Sequence, residues 1–268
     1  MKRKLIRGAI PAFVLLFLYM PILMLALYSF TDATQIGAIR AFTFKNYVTL
    51  FTTDELRRMI IGTLLLALAA GVLATLLGTM GAIGSFYSKK RTTSLFKITN
   101  QIPVINADVV TGFSLCILMV VLFGIDKETY IPLLIGHVTL TAPFVYLSVV
   151  PKLKQMDPSM YEAALDLGAT PWKALMRVVI PEILPGMVSG FALAVTLSLD
   201  DYFVATYTKP VTFDTISTYV VNATRGSQTN IKTALWALST LIFVLVIVFV
   251  IVMNIRSGRK AKKEERIK

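Results

Sequence analysis

Residues 161–181 read YEAALDLGATPWKALMRVVIP, a stretch that favours short polar helices although long apolar runs lie on both sides of it. An Asp-Pro pair at 157–158 predicts the start of one helix, and Gly168 predicts its end. A Thr-Pro pair at 170–171 predicts the start of a second helix, which we expect Pro181 to end. Two helices of about ten residues are marginal alone in water, so they need a partner surface.

Apolar segments long enough to cross a bilayer account for most of the rest of the chain. Of its 268 residues, 56% are hydrophobic and 16% are charged. A spanning helix needs about 20 apolar residues. Six segments meet this requirement: 8–30, one within 59–88, 98–123, 130–151, 184–207 and 233–255. We therefore expect an all-α, polytopic membrane protein with six transmembrane helices, forming a single domain over residues 1–268.

The basic residues predict the orientation of these segments. The chain has a net charge of +12. If six helices alternate and both termini are cytoplasmic, most Lys and Arg residues lie on the inner side, as the positive-inside rule requires. This arrangement explains the basic charge without a nucleic-acid partner, and it makes the segment at about 151–184 a cytoplasmic loop.

Two further patterns concern helix packing and the outer surface. In the second segment, small residues recur every three or four positions, which predicts a face where another helix approaches closely. These residues are Ala67, Gly71, Ala74, Gly78 and Gly81. In the first outer loop, the aromatic stretch 42–51 predicts a short helix at the outer interface.

Acidic residues inside apolar segments are costly, and each is a candidate for a functional site. Asp108 lies about ten residues into the third segment, so a continuous helix would place it near the midplane. Asp200 and Asp201 lie in the outer half of the fifth segment. Alternatively, these acids face outer water or pair with a basic residue of a partner, and Asp108 caps a helix that restarts after Pro103.

The chain shows no recognisable catalytic or cofactor-binding motif. Its only histidine is His137 and its only cysteine is Cys116. We expect His137 to be neutral and hydrogen-bonded within the helix bundle rather than to relay protons. No nucleophile–base pair and no phosphate-binding glycine loop is apparent, so we expect neither enzymatic activity nor a bound metal or nucleotide.

The stretch EAALDLGATPWKALMRVVIP closely resembles the EAA loop of ATP-binding-cassette importer permeases. That pattern is Glu-Ala-Ala, three residues, Gly, nine residues, then Ile-x-Leu-Pro. Here Val and Ile replace the Ile and Leu, and the apolar character is kept. In this family the loop forms the coupling helix, which is seated in a cleft of the ATPase. The residues that the resemblance assigns to coupling are Glu162, Ala163, Ala164, Asp166, Gly168, Trp172 and Pro181.

The resemblance extends over most of the chain. The six-helix layout, FTFKNYVTLF at 42–51 and TLSLDDYFVATYT at 196–208 are similar to the second permease subunit of spermidine/putrescine importers. The resemblance implies a type I importer in the bacterial inner membrane. A second permease subunit, two cytoplasmic ATPases and an extracytoplasmic binding protein would complete it, and ATP and Mg would bind to the ATPases.

In such an importer, the intramembrane acids would line the path of a polyamine. Carboxylates suit ammonium groups, and aromatic rings suit both ammonium groups and methylenes. We therefore expect a weak substrate pathway at Asp108, Asp200, Asp201 and Tyr202. The same machine could carry thiamine, ferric iron or another organic cation instead. A secondary transporter acting alone would be expected to show inverted repeats or paired broken helices, and the sequence shows neither.

Overall fold

The computed structural model describes residues 2–32, 41–157, 159–225, 233–244 and 247, with side chains for all of them except 2–12 and 224–225. The described chain is almost entirely helical and contains no strand beyond one bridge between Thr31 and Phe42. The all-α prediction is therefore confirmed. The helices are α1 (Lys2–Ser29), α2 (Lys45–Thr52), α3 (Asp54–Phe86), α4 (Lys90–Ile105), α5 (Asp108–Ile117), α6 (Ile131–Gln155), α7 (Ser159–Asp166), α8 (Pro171–Ala174), α9 (Ile180–Asp200), α10 (Phe203–Thr208), α11 (Ile216–Arg225) and α12 (Thr233–Val244).

Within the described residues, three helical stretches are long and apolar enough to cross a membrane: α3, α6 and the stretch Pro171–Asp200. The pair α4 and α5 would make a fourth if it is one bent span. The described apolar parts of the first and sixth predicted segments, Phe13–Ser29 and Thr233–Val244, are shorter. The count of six spans and the cytoplasmic position of the termini stay predictions.

The prediction of one continuous helix over 98–123 is wrong. The chain breaks at Asn106 and Ala107, which have extended backbones, and α4 and α5 meet at a bend of 106°. Asn106 donates a side-chain hydrogen bond to Thr111 across the break. Asp108 therefore lies in the first turn of α5, where its charge is favourable at a helix N-terminus, and it is not in the middle of a helix.

The fifth segment also differs from its prediction at both ends. Pro181 does not end the helix that begins at Pro171, and the helical stretch continues for 30 residues to Asp200. A π-helical turn, Leu175–Val179, precedes the proline, and the Ile180 N–H bonds to the Leu175 carbonyl. Such a turn changes the hydrogen-bond register next to a residue that lacks an N–H. At the outer end, the predicted 184–207 helix breaks after Asp200.

The chain forms two compact units, and the smaller one comprises Met1–Arg57 and Val220–Lys268. Asn46 holds its first two helices together, because its buried side-chain amide donates to the carbonyls of Ser29 and Thr31, both at 2.8 Å. The short helix predicted in the aromatic stretch is confirmed as α2. The Tyr47 hydroxyl bonds to the Ser29 hydroxyl, and its ring lies 5.1 Å from that of Phe30.

The second unit, Arg58–Tyr219, is built on α6 packed against α3 and α9. The small-residue face of α3 lies in this contact. A Cβ added to Gly78 would lie 2.7 Å from the Val145 Cβ and 2.8 Å from the Ala142 carbonyl oxygen. On α9, a Cβ added to Gly190 would lie 3.0 Å from Cγ1 of the same Val145. The close approach predicted for this face is thus confirmed as packing within the chain.

We expect Gly78→Ala to destabilise the protein, because an added methyl would overlap the backbone and side chain of α6. Overpacking of this kind costs about 1–3 kcal/mol. Thermal unfolding of the purified protein in detergent measures the effect. Gly84→Ala on the same helix is the control, since nothing lies within 4 Å of its added Cβ. Equal midpoints for the two variants would contradict the close contact.

Candidate functional site

The polar loop predicted at 151–184 begins with two defined helix starts. Asp157 accepts the Ser159 N–H at 2.9 Å and the Ser159 hydroxyl at 2.8 Å, and these bonds hold the pKa of its carboxyl below the usual range. Pro158, also predicted in this start, lies outside the described residues. The Thr170 side chain accepts the Lys173 N–H, so Thr170 caps α8 as predicted.

Gly168 makes the sharp turn between the two helices. Its φ is +84°, a conformation that costs any residue with a Cβ. The Gly168 N–H bonds to the Leu165 carbonyl, and the Ala169 N–H bonds to the Ala164 carbonyl. This is the Schellman arrangement, which satisfies the last carbonyls of α7. The predicted helix, glycine turn and second helix are therefore confirmed at this position.

One side of this loop is fastened to the end of the helix bundle. The Tyr161 ring lies 5.2 Å from that of Tyr87, which follows the end of α3. Val179 is fully buried, and Leu175 packs against the same core as Tyr161. Burial raises the pKa of Tyr87, and the electrostatic effect of the neighbouring Tyr161 adds to this. Apolar contacts thus hold this side of the loop against the helix bundle.

The other side of the loop is open. Leu167 at the turn is 89% exposed and Trp172 is 65% exposed. Glu162 and Asp166 are exposed on α7 beside them, and Pro181 is exposed on α9. Large apolar side chains at the tip of a polar loop are typical of a surface that another protein covers. The partner surface that these short helices need could be the ends of the membrane helices or another protein; in the structure one face packs on the bundle and the other is exposed.

A second group of predicted residues meets where α5, α6, α9 and α10 converge. The short helix α10 lies between α5 and α6, and a glycine on each neighbour allows this. A Cβ on Gly112 of α5 would lie 2.8 Å from the Val204 Cα. A Cβ on Gly136 of α6 would lie 2.8 Å from Val204 Cγ1. This contact brings the N-terminal ends of α5 and α10 together, so Asp108 acts electrostatically on Asp201, as does the adjacent Asp200.

The two adjacent acids have different surroundings. The Asp201 side chain is 3% exposed. Its two carboxylate oxygens accept the N–H groups of Val204 and Ala205 at 3.2 and 2.7 Å, which caps α10. Asp200, in contrast, is exposed at the end of α9, and Asp108 is exposed at the start of α5. Of the predicted pathway acids, Asp108 and Asp200 are thus open to their surroundings and Asp201 is not.

Tyr202 and His137 complete this cluster. Tyr202 is half-buried, and its ring lies 5.2 Å from that of Phe203. His137 is fully buried, and its Nδ1 lies 2.8 Å from Ser198 Oγ, so the predicted hydrogen bond within the bundle is present. Sequence reasoning missed Ser198 and the proximity of His137 to Asp201. The three-residue spacing of Ser198 and Asp201 indicates that they share one helix face. Nothing in the sequence indicates that α6 lies beside that face.

The family model described as "Binding-protein-dependent transport system inner membrane component" matches residues 1–262. The chain belongs to this family. The resemblance inferred from the EAA pattern is therefore confirmed.

Several polyamine permeases are similar over most of the chain. The putrescine transport system permease protein PotI of Escherichia coli K12 is 32% identical over 233 residues, covering 84% of this chain and 81% of the relative. The spermidine/putrescine transport system permease protein PotC of the same strain is 28% identical over 259 residues, covering 97% and 96%. The PotC of Haemophilus influenzae is 30% identical over 255 residues, covering 95% and 97%.

Solved importer structures share the fold. The crystal structure of a bacterial ABC transporter involved in the import of the acidic polysaccharide alginate superposes with a TM-score of 0.70 at 20% identity, over 95% of this chain and 96% of the other. An amino acid ABC transporter with histidines gives 0.55 at 19% identity, over 80% and 96%. The predicted importer permease fold is confirmed.

We expect Asp201→Ala to destabilise the protein more than Asp200→Ala. The first change removes a buried helix cap, at a cost of about 0.5–2 kcal/mol. The second removes an exposed side chain, which usually changes stability by less than about 0.5 kcal/mol. Thermal unfolding in detergent compares these neighbours directly. If both variants unfold at the same temperature, Asp201 does not cap α10.

Proposed function

We propose that this chain is one permease subunit of an ABC importer that carries polyamines across the bacterial inner membrane. The observation that carries this proposal is one helical stretch, Pro171–Asp200, with the exposed loop at its start and the acidic cluster at its end. The polyamine assignment is supported by the names of the relatives and by the two exposed carboxylates. Residues 1–268 would act as a single permease domain, with segment 151–184 as its coupling loop.

The helical stretch offers a direct route from an energy source to the substrate. Its 30 residues extend about 45 Å at helical rise, enough to cross the hydrocarbon core. A helix of this length moves largely as a rigid body when its neighbours hold it. Movement imposed on Trp172 or on the Gly168 turn would therefore displace Asp200 at the other end.

The coupling loop is suited to a protein partner. We propose that a cytoplasmic ATPase covers Leu167 and Trp172, with Glu162 and Asp166 adding polar contacts around them. The small side chains of Ala163 and Ala164 would let the partner approach α7 closely. Pro181 would lie at the edge of the covered surface. ATP and Mg would bind to the ATPase, and this chain would bind no cofactor.

The acidic cluster is suited to a weak cation pathway. Polyamines carry several ammonium groups separated by methylenes, so carboxylates at Asp108 and Asp200 would meet the charges. The Tyr202 ring would contact methylenes or an ammonium group. The buried Asp201 would act on substrate through the position of its neighbours. A second permease subunit would complete the pathway, and an extracytoplasmic binding protein would deliver the polyamine.

We expect Gly168→Pro and Glu162→Lys to abolish co-purification of the ATPase while the subunit remains in the membrane fraction. Proline fixes φ near −65°, which is incompatible with the +84° observed at Gly168. Charge reversal at Glu162 changes the exposed face that the partner would cover. Glu55→Lys is the matched control, since this exposed acid lies in the first turn of α3, on the predicted outer side of the membrane. Retention of the ATPase by both coupling-loop variants would remove the loop assignment.

We expect Asp200→Asn to weaken spermidine uptake by the reconstituted complex. Loss of a contact with a charged group costs about 1.5–3 kcal/mol. The concentration for half-maximal uptake should therefore rise at least about tenfold. Glu55→Gln is the control for loss of one exposed carboxylate. Wild-type uptake of labelled spermidine that resists excess unlabelled spermidine and putrescine would refute the polyamine assignment, and normal uptake by Asp200→Asn would refute the role of Asp200.

A further inference from the structure

A buried polar network joins α6 to the break between α9 and α10. His137 on α6 is fully buried, with Nδ1 2.8 Å from Ser198 Oγ on α9. Its Nε2 lies 3.6 Å from Asp201 Oδ2, which is longer than a hydrogen bond, and it has no hydrogen-bond partner among the described residues. Three polar side chains from two helices and the break thus converge in an otherwise apolar region.

The surroundings of His137 favour one tautomer. With the proton on Nδ1, the Nε2 lone pair would face the Asp201 carboxylate, and the two would repel each other strongly in a medium of low dielectric constant. With the proton on Nε2, that N–H faces the carboxylate and Nδ1 accepts the Ser198 hydroxyl proton. The second arrangement leaves each of the three side chains with a complementary neighbour. Because the Ser198 hydroxyl can donate or accept, the Asp201 carboxylate rather than Ser198 selects the tautomer.

His137 is important to Asp201 because the other charges near that carboxylate are unfavourable. Asp108 and Asp200 both repel it. In the described part of the chain, no Lys or Arg lies within ion-pair distance of Asp201. Apart from the two backbone N–H groups of α10, the donor that faces the carboxylate is therefore the His137 ring.

We propose that His137 is a positioning residue for transport, and this rests on the proposed function above. Its Nε2–H faces the Asp201 carboxylate at 3.6 Å and attracts it electrostatically toward α6. Through its bonds to Val204 and Ala205, Asp201 in turn holds α10. Because α10 packs on α5 at Gly112, this attraction to α6 helps to fix the position at which α10 meets α5. The network thereby sets the position of Asp108 relative to Asp200.

Two conservative variants separate the two contacts of His137, the hydrogen bond with Ser198 and the approach to Asp201. His137→Gln places an amide near the former Nε2 and keeps a donor facing Asp201. His137→Asn places its amide near the former Nδ1 and keeps the bond to Ser198, but it removes the donor facing Asp201. A role in packing alone predicts similar behaviour of both variants, whereas positioning of Asp201 predicts that glutamine substitutes and asparagine does not.

The first measurement is independent of the substrate. Spin labels at Val121→Cys and Phe203→Cys, in a Cys116→Ser background, report the distance between the π-helical turn that follows α5, Leu118–Leu122, and the start of α10. Both native side chains at the labelled positions are exposed. In the complete reconstituted complex, we expect one narrow distance distribution with His137 or Gln and a broad one with Asn. A narrow distribution with Asn, or a broad one with Gln, overturns the proposal.

The second measurement is labelled spermidine uptake by the same complexes without labels. We expect His137→Asn to lower maximal uptake about tenfold or more, the effect of losing one contact with a charged group. His137→Gln should stay within about twofold of the wild type. Equal uptake by all three proteins overturns the proposal. Failure of the wild type to take up spermidine, with the distance pattern intact, removes the polyamine assignment and leaves the positioning role standing.

Discussion

The two bonds from the backbone of α10 to the Asp201 carboxylate are the interaction on which the functional part of the structure depends. A bilayer contains no water to satisfy free N–H groups, so a chain can leave helical geometry there only where its own side chains replace the lost bonds. Asp201 does this after α9, whereas at the break before α5 the Asn106 side chain bonds to the Thr111 hydroxyl. Each break ends with an exposed acid at the surface, Asp200 in one case and Asp108 in the other.

One helical stretch also connects the acidic cluster at Asp200 and Asp201 with the loop at 151–184. Before the break, the helical stretch is continuous from Pro171 to Asp200, with one π-helical turn at Leu175–Val179. Close contacts at Gly78 and Gly190 hold α3 and this helix against α6. Glycine has no side chain that could change rotamer at these contacts. In lipid, where hydrophobicity does not drive helices together, such small-residue contacts are the main source of rigidity. A rigid helix between the loop and the acids is what a mechanical coupling requires.

Local chemistry was sufficient to predict the helix starts and the glycine turn of the loop at 151–184. The Asp157 and Thr170 caps and the positive φ at Gly168 depend on residues within one turn of each other, so their spacing in the sequence defines them. The outcome at Pro181 was different. Proline usually ends a helix, but the π-helical turn at Leu175–Val179 removed the conflict, and packing of Val179 in the core stabilised that turn.

By itself, the sequence determined the helical content, the helix starts and glycine turn of the loop at 151–184, and the presence of costly acids in apolar segments, and its EAA pattern indicated the family by resemblance. These follow from composition and short-range patterns, which tertiary contacts do not alter. Only the tertiary structure decided which acid is buried and which is exposed. Asp200 and Asp201 are chemically identical neighbours, and they differ because the chain turns between them and places His137 of α6 and the N-terminus of α10 beside one carboxylate alone.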